Sequence, residues 1–175
     1  MHFLSLRKAV SLPTIISADP KSGGEKTSRE LSEEEVNLMM ESGYSKKAID
    51  LYVNKVNVGC LENPSVVTTF LGSCGDLLKL YLKIDKKDVI KNAKFYYLGC
   101  PGSAASASAL TTLLIGKTTN QAKKIMDGDI LAELDGLPRS KLDCTKLSIR
   151  TLRKAIAEYE KVKGRSEIWS LYIFA

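Results

Sequence analysis

The sequence is poor in histidine, in cysteine and in long apolar runs, and each shortage excludes a class of protein. Its one histidine, His2, stands beside the first residue, so neither a histidine-based catalytic dyad nor a histidine metal ligand is expected. Four cysteines in 175 residues are too few for a disulfide-stapled secreted scaffold. No segment approaches the roughly eighteen consecutive apolar residues of a membrane span, so no membrane partner is expected.

The residues that are present indicate a soluble globular domain. Hydrophobic residues make up 44% of the chain and charged residues 26%, a balance that can bury a core. The net charge of +6 does not indicate a nucleic-acid partner, because the basic residues near the end of the chain have the spacing of a solvated helix face. We expect a reducing, cytoplasmic location. The alternative is organellar targeting by residues 1–17, which contain two cations and no acid.

The chain starts with a polar extension and two short helical segments. Residues 18–30 are rich in glycine, serine and charge, which predicts a flexible linker. Ser32 followed by Glu35 is a capping-box pattern and predicts a helix that ends at Gly43. The apolar spacing of residues 45–54 predicts a second helix.

Three strand signals follow, joined by short links. Residues 66–70 are β-branched or aromatic, residues 78–84 alternate Leu or Ile with Lys or Tyr, and residues 89–98 continue after a short charged turn. Parallel strands need long crossover connections, so links this short favour an antiparallel meander.

The remainder of the chain has helical spacing. An alanine- and serine-rich helix is predicted at residues 101–115, shorter pieces at 119–126 and 130–134, and a long final helix from near Cys144. The expected fold class is therefore α+β: a three-stranded antiparallel sheet covered by helices, with a long C-terminal helix.

Three of the four cysteines stand where one predicted element gives way to the next. Cys74 lies in a glycine-flanked turn between two strands, Cys100 precedes a helix, and Cys144 opens the final helix. Unpaired N–H groups and the helix dipole stabilise thiolate at a helix amino terminus, and thiolate is the form that binds metal or attacks sulfur. Cys60 has no acid or helix start beside it and is expected to be a small buried hydrophobe.

Asp76, two residues after Cys74, adds a carboxylate to these three thiols. Thiolates select zinc, copper(I) or iron–sulfur clusters, and a carboxylate can complete a three-thiolate site. Structural zinc sites favour paired CxxC units, of which the sequence has none. Three dispersed thiolates with one weakly held oxygen suggest a metal that is meant to leave.

Several motifs together resemble the NifU/IscU-type iron–sulfur cluster assembly scaffolds. The resemblance covers residues 44–159. It includes the three cysteine motifs and several short segments before and between them. The segments that carry it are Tyr44-Ser-Lys-Lys-Ala-Ile-Asp50, Asn57-Val-Gly59, Cys74-Gly-Asp76, Gly99-Cys100 with the helix that follows, Gly116-Lys117, Leu137-Pro138 and Lys141-Leu-Asp-Cys144.

The resemblance implies an IscU/SufE-like fold in a scaffold domain at residues 44–163. An N-terminal extension at residues 1–43 would precede this domain, and a C-terminal tail at residues 164–175 would follow it. The resemblance also implies a scaffold that is not itself an enzyme. Such a scaffold takes sulfur from a cysteine desulfurase, takes iron, and passes a labile cluster, expected to be 2Fe–2S, to apo-proteins or carriers.

The same resemblance assigns roles to individual residues. Cys74, Cys100 and Cys144 would hold a transient 2Fe–2S cluster, with zinc in the resting form as an alternative occupant. Cys144 would be the first acceptor of persulfide sulfur. Asp76 would bind iron and keep the finished cluster labile, because a carboxylate is a harder and more exchangeable ligand than a thiolate. The cluster could be held by one chain or shared by a homodimer.

Two positions depart from the family pattern. Asp143 stands before the third cysteine, where the family has histidine. A carboxylate there could also bind iron, so Asp143 competes with Asp76 as the oxygen ligand. The segment Leu137-Pro-Arg-Ser-Lys141 replaces the family's Leu-Pro-Pro-Val-Lys, which argues against an Hsp70-type chaperone as partner.

Two other functions remain as alternatives. A zinc-bound sulfurtransferase could relay persulfide with the same ligands, but such relatives are expected to carry an insertion between the second and third cysteines. None is visible between Cys100 and Cys144. A basic interaction module would need all three junction cysteines to be buried hydrophobes, which is a less economical account of their positions.

Overall fold

The computed structural model describes the backbone of residues 31–173 and the side chains of residues 31–164. The predicted linker at residues 18–30 and the targeting segment considered at residues 1–17 lie outside the described residues. No helix between residues 31 and 173 is long and apolar enough to cross a membrane.

Two short helices open the described part of the chain, and both begin where the sequence predicts. Helix α1 (Glu33–Glu41) starts at the capping box, in which Ser32 accepts from the Glu35 N–H and the Glu35 side chain accepts from the Ser32 N–H. Helix α2 (Lys46–Val53) starts after Ser45, whose hydroxyl accepts from the Ala48 N–H at 3.0 Å.

Three strands form one antiparallel sheet in the order β1-β2-β3, which confirms the predicted meander. The strands are β1 (Val66–Leu71), β2 (Leu77–Ile84) and β3 (Ile90–Leu98). Leu80 at the centre of β2 pairs with Thr68 on one side and Phe95 on the other. All three side chains are buried, so they line the sheet face that packs on the helices.

Tyr81 lies on the opposite face of the sheet and is nevertheless only 8% exposed. The Cys60 thiol donates to its hydroxyl at 3.2 Å, and the Lys79 amino group lies 5.4 Å from the centre of its ring. Cys60 is half-buried in this position, whereas the sequence predicts a buried residue.

Helix α3 (Pro101–Leu114) occupies the centre of the fold, and nearly all of its residues are buried. It packs against α2 and β3 and against two later helices, α5 (Asp127–Glu133) and α6 (Leu142–Ile173). The alanines and serines of α3 are small, so neighbours approach it from several sides.

The later helices agree with the prediction in type and differ in their bounds. Helix α4 is Thr119–Ala122, α5 is Asp127–Glu133, and a 3₁₀ turn at Arg139–Lys141 leads into α6, which is Leu142–Ile173. Helix α5 begins earlier than predicted because Asp129 accepts from the Met126 N–H at 2.8 Å and caps the helix start. The α+β class with a long C-terminal helix is confirmed.

Polar contacts at two points hold α6 on the sheet. Near its middle, the Thr68 hydroxyl donates to the Glu158 carboxylate and Lys154 donates to the Thr69 carbonyl at 2.9 Å. Farther along, Tyr159 and Lys163 donate to Asp88, which lies between β2 and β3. The backbone of α6 continues past the predicted domain boundary at residue 163, and that boundary stays a prediction.

Replacing Ser45 with alanine is expected to lower the free energy of unfolding by about 2 kcal/mol, because the change removes the cap of α2 and a hydrogen bond from Ser45 to the Leu134 carbonyl. Urea unfolding followed by circular dichroism measures the loss. Ser32→Ala is the control, since it removes an exposed cap from α1 and should cost less than about 1 kcal/mol. Equal losses in the two variants would contradict a contribution from the hydrogen bond between Ser45 and the Leu134 carbonyl.

Candidate metal centre

Cys100 is held at the junction between β3 and α3. It is the N-cap residue of α3, with an extended backbone, and Pro101 takes the first helical position, where a missing N–H costs nothing. The Cys100 side chain makes no capping hydrogen bond to the helix, so its sulfur is directed to other partners. The predicted placement of Cys100 at a helix amino terminus is confirmed.

Asp76 reaches the same junction from the turn between β1 and β2. Its Oδ2 accepts from the Cys100 N–H at 3.4 Å and from the Ser103 hydroxyl. Asp76 thereby pairs with the N–H of the N-cap residue and with a side chain of the first helical turn. A side chain on Gly99 is excluded here, because a Cβ at that position would lie 2.5 Å from Asp76 Cγ.

Cys144 enters the site from the first turn of α6. The sequence predicts that Cys144 opens this helix. The helix begins at Leu142, so Cys144 lies inside its first turn. Its Sγ lies 3.6 Å from Cys100 Sγ, and the residue is only 4% exposed. Gly102 permits this approach, because a Cβ on Gly102 would lie 3.2 Å from Cys144 Sγ.

Asp76, Cys100 and Cys144 therefore form one group, whose ligand atoms all lie within 4.8 Å of one another. Two sulfurs bound about 2.3 Å from a tetrahedral zinc ion stand about 3.8 Å apart, close to the Sγ–Sγ distance of 3.6 Å in this pair. The donor set of two thiols and one carboxylate fits a thiophilic metal, with room for a further ligand.

The two thiols lie within hydrogen-bond distance of each other, at 3.6 Å between their Sγ atoms. The hydrogen bond between them lowers the pKa of Cys100 to about 6 against the opposing effect of burial. The same bond, together with burial, raises the pKa of Cys144. Loss of one proton from the pair is therefore favoured, and loss of the second is opposed.

Tyr44 borders this thiol pair. Burial raises the pKa of its hydroxyl, and the charges of Cys100 and Cys144 raise it further. The phenol therefore stays protonated beside the thiolate. Tyr44 marks the start of the motif region in the sequence, but its proximity to the sulfurs emerges only from the packing of α2 against α3.

Cys74 lies outside this group. It stands at the exposed tip of the turn after β1, between Gly72 and Gly75. The Gly75 N–H donates to the Gly72 carbonyl at 3.1 Å, and the Gly72 N–H donates to the Asp76 carbonyl at 2.7 Å. Gly75 has a φ of +86°, a left-handed conformation that glycine adopts without strain.

Asp143 also lies outside the group, although it adjoins Cys144 in the sequence. Its side chain is 71% exposed and its Oδ1 lies 2.9 Å from Lys146 Nζ. The hydrogen bond from Lys146 lowers the pKa of the Asp143 carboxyl. Of the two carboxylates that compete for the oxygen position, the structure brings Asp76 to the thiols and leaves Asp143 in solvent.

Ser103 is the site residue that sequence reasoning missed. It occupies the third helical position after Cys100, and its Oγ lies 3.7 Å from Cys100 Sγ while it donates to Asp76. Its spacing from Cys100 could have indicated this position, since a side chain three residues after the N-cap lies beside the N-cap residue. Helix α3 contains several serines, so the sequence does not distinguish Ser103 from the others.

The sequence matches a family model and several known proteins. Residues 43–166 match the family model of the NifU-like N terminal domain. The iron-sulfur cluster assembly scaffold protein IscU of Rickettsia prowazekii is 39% identical over 122 residues, which cover 67% of this chain and 92% of that protein. The iron sulfur cluster assembly protein 1, mitochondrial, of Kluyveromyces lactis is 38% identical over 130 residues, covering 71% of this chain and 72% of that protein.

Solved structures share the fold. A protein from Fervidobacterium islandicum, described as an iron-sulfur cluster assembly scaffold for the SUF system, has a TM-score of 0.54 and 28% identity, covering 65% of this chain and 96% of its own. A NifU-like N-terminal structure from Brucella abortus has a TM-score of 0.54 at 22% identity, covering 70% of this chain and 98% of its own. The family model matches residues 43–166, and the Rickettsia prowazekii relative is 39% identical. The chain therefore belongs to the NifU-like N-terminal domain family.

Proposed function

We propose that this chain is a non-enzymatic scaffold on which an iron–sulfur cluster is assembled. It would receive sulfur from a cysteine desulfurase, bind iron, and pass a labile 2Fe–2S cluster to apo-proteins or carriers. The observation that supports the proposal most strongly is the group of two thiols and one carboxylate whose ligand atoms lie within 4.8 Å. Relatives named as iron-sulfur cluster assembly scaffolds are 39% and 37% identical to the chain, which supports the same function.

The donor set suits a metal cargo that is handed on. Cys100 and Cys144 supply soft sulfur ligands for iron, and Asp76 supplies an oxygen that exchanges more readily than sulfur. In this proposal Asp76 is the oxygen ligand. Asp143 would have to leave its ion pair with Lys146 and turn inward to replace it.

Cys74 supplies the third thiolate in this proposal. It stands at the tip of a glycine-rich turn that leads directly to Asp76, so a change in the turn's backbone would bring its sulfur toward the group. Glycines at both ends of the turn lower the energy of such a change. An exposed Cys74 is also placed to meet a protein that delivers or receives the cargo.

Sulfur would arrive on Cys144 by thiol–persulfide exchange. The Cys144 thiolate attacks the terminal sulfur of the desulfurase persulfide, a new S–S bond forms, and the desulfurase cysteine leaves as thiolate. Cys144 is buried and keeps its proton while it is paired with Cys100, so the start of α6 must move to expose it. Free thiols of this kind persist in a reducing compartment.

Zinc-dependent sulfur relay is the second candidate. The Cys100–Cys144 spacing favours it, because 3.6 Å also suits two thiolates on one zinc ion. The two functions differ in what the site retains: a relay keeps its zinc, whereas a scaffold releases a cluster.

Cluster reconstitution tests the proposal. The reduced chain is incubated anaerobically with iron(II), cysteine and a desulfurase, and visible absorption and metal content are recorded. We expect sulfur-to-iron charge-transfer bands that are lost in Cys100→Ser and retained in the control Cys60→Ser, whose thiol contacts Tyr81 instead of the site. Tight stoichiometric zinc without a cluster would favour the relay, and bands that survive removal of Cys74, Cys100 and Cys144 would contradict the site.

The alkylation rate of Cys100 should depend on pH, and the midpoint of that dependence should be set by the contact with Cys144. The pKa of about 6 leaves Cys100 largely deprotonated at pH 7, so its alkylation rate should rise through pH 6 and level off above it. Cys144→Ala removes the donor that favours the thiolate, so the midpoint should move to higher pH. Mass spectrometry of the Cys100 peptide in metal-free protein measures the rate, with Cys60→Ser as the control. An unchanged midpoint in Cys144→Ala would contradict the thiol pair.

A further inference from the structure

Ser103 connects the carboxylate and one thiol of the site. The residue is only 2% exposed, and its hydroxyl donates to Asp76 Oδ2 while Oγ lies 3.7 Å from Cys100 Sγ. The other donor to Asp76 Oδ2 is the Cys100 N–H at 3.4 Å, a long and weak bond. Ser103 is therefore the stronger of the two groups that fix the carboxylate.

The Asp76 carboxylate is bounded on one side by the backbone of Gly99 and on another by Ser103. On the side of Gly99 even a methyl group would lie 2.5 Å from Asp76 Cγ, so the backbone passes directly against the carboxylate. Ser103 closes another side. Its single hydroxyl proton can serve Asp76 or the Cys100 thiolate, but not both at full strength.

A hydrogen bond to one carboxylate oxygen fixes the orientation of the carboxylate before the metal arrives, so that its second oxygen can bind the metal. Removal of such a partner typically lowers metal affinity about 10-fold to 100-fold. A donor to Asp76 therefore prepares the site for metal.

On the basis of the proposed scaffold function, we propose that Ser103 is a positioning residue for Asp76: it holds the carboxylate beside the two thiols, in place to bind the metal. Ser103 need not bind the metal itself. Its effect reaches the metal through Asp76, and removal of Asp76 should abolish it.

Cobalt(II) alone is a suitable probe, because its visible absorption reports the number and type of ligands without any cluster assembly. The full chain is loaded with cobalt(II) anaerobically under reducing conditions, and the loss of absorption into excess EDTA is timed. Ser103→Ala should release cobalt about tenfold to a hundredfold faster than the unchanged chain, the range expected when the hydrogen-bond partner of a metal ligand is removed. Ser103→Thr, which keeps the hydroxyl, should restore slow release.

Ser106→Ala is the matched control. Ser106 lies one turn along α3, is fully buried, and its hydroxyl has no hydrogen-bond partner among the described residues. The rate of cobalt release from Ser106→Ala should equal that of the unchanged chain. Thermal unfolding of the metal-free proteins confirms that Ser103→Ala and Ser106→Ala are folded.

A double-mutant cycle with Asp76→Ala separates positioning from packing. If Ser103 acts through Asp76, adding Ser103→Ala to Asp76→Ala leaves the release rate unchanged. Release that is unchanged or slower in Ser103→Ala, or an equal effect of Ser103→Ala with and without Asp76, overturns the role of Ser103 and does not contradict the metal centre. Failure of the unchanged chain to bind cobalt overturns the metal centre and this proposal with it.

Discussion

The site depends on the close approach of the first turn of α6 to the amino end of α3. Gly102 leaves the space, and the two sulfurs meet at 3.6 Å across it. The approach is maintained from a distance, by the packing of small side chains around α3 and by the contacts of Glu158, Tyr159 and Lys163 that fix α6 on the sheet. A shift of α6 along the sheet would separate the thiols, whatever the local sequence around Cys144.

Burial and charge oppose each other at this junction. Burial alone would favour the protonated form of both thiols, yet the hydrogen bond between them lowers the pKa of Cys100. The amino end of α3 also holds the Asp76 carboxylate, which accepts from the Cys100 N–H and the Ser103 hydroxyl. A cation bound between the thiols and this carboxylate would relieve the repulsion between their negative charges.

The departure from the family pattern at residue 143 has a simple structural consequence. Asp143 is drawn outward by Lys146, three residues later on the same helix face, and its charge is solvated there. The carboxylate that lies beside the thiols is that of Asp76, on a different element. The glycine-rich turn that carries Asp76 also carries Cys74, so the exposed thiol and the anchored carboxylate belong to one short loop.

Local patterns in the sequence determined much of this protein. The capping box at Ser32, the alternation in β2 and the positions of the three junction cysteines depend on neighbours a few residues away, and the structure agrees with each. Motif resemblance placed the chain in its family for the same reason, since motifs are local. Tertiary structure alone decided which of these residues meet. Asp76 joins Cys100 and Cys144 while Asp143 and Cys74 do not, because side-chain direction at a helix start or turn follows from packing across the fold. Ser103 and Gly102 gained their roles in the same way: contacts between residues more than twenty positions apart are set by how α3, α6 and the sheet pack together.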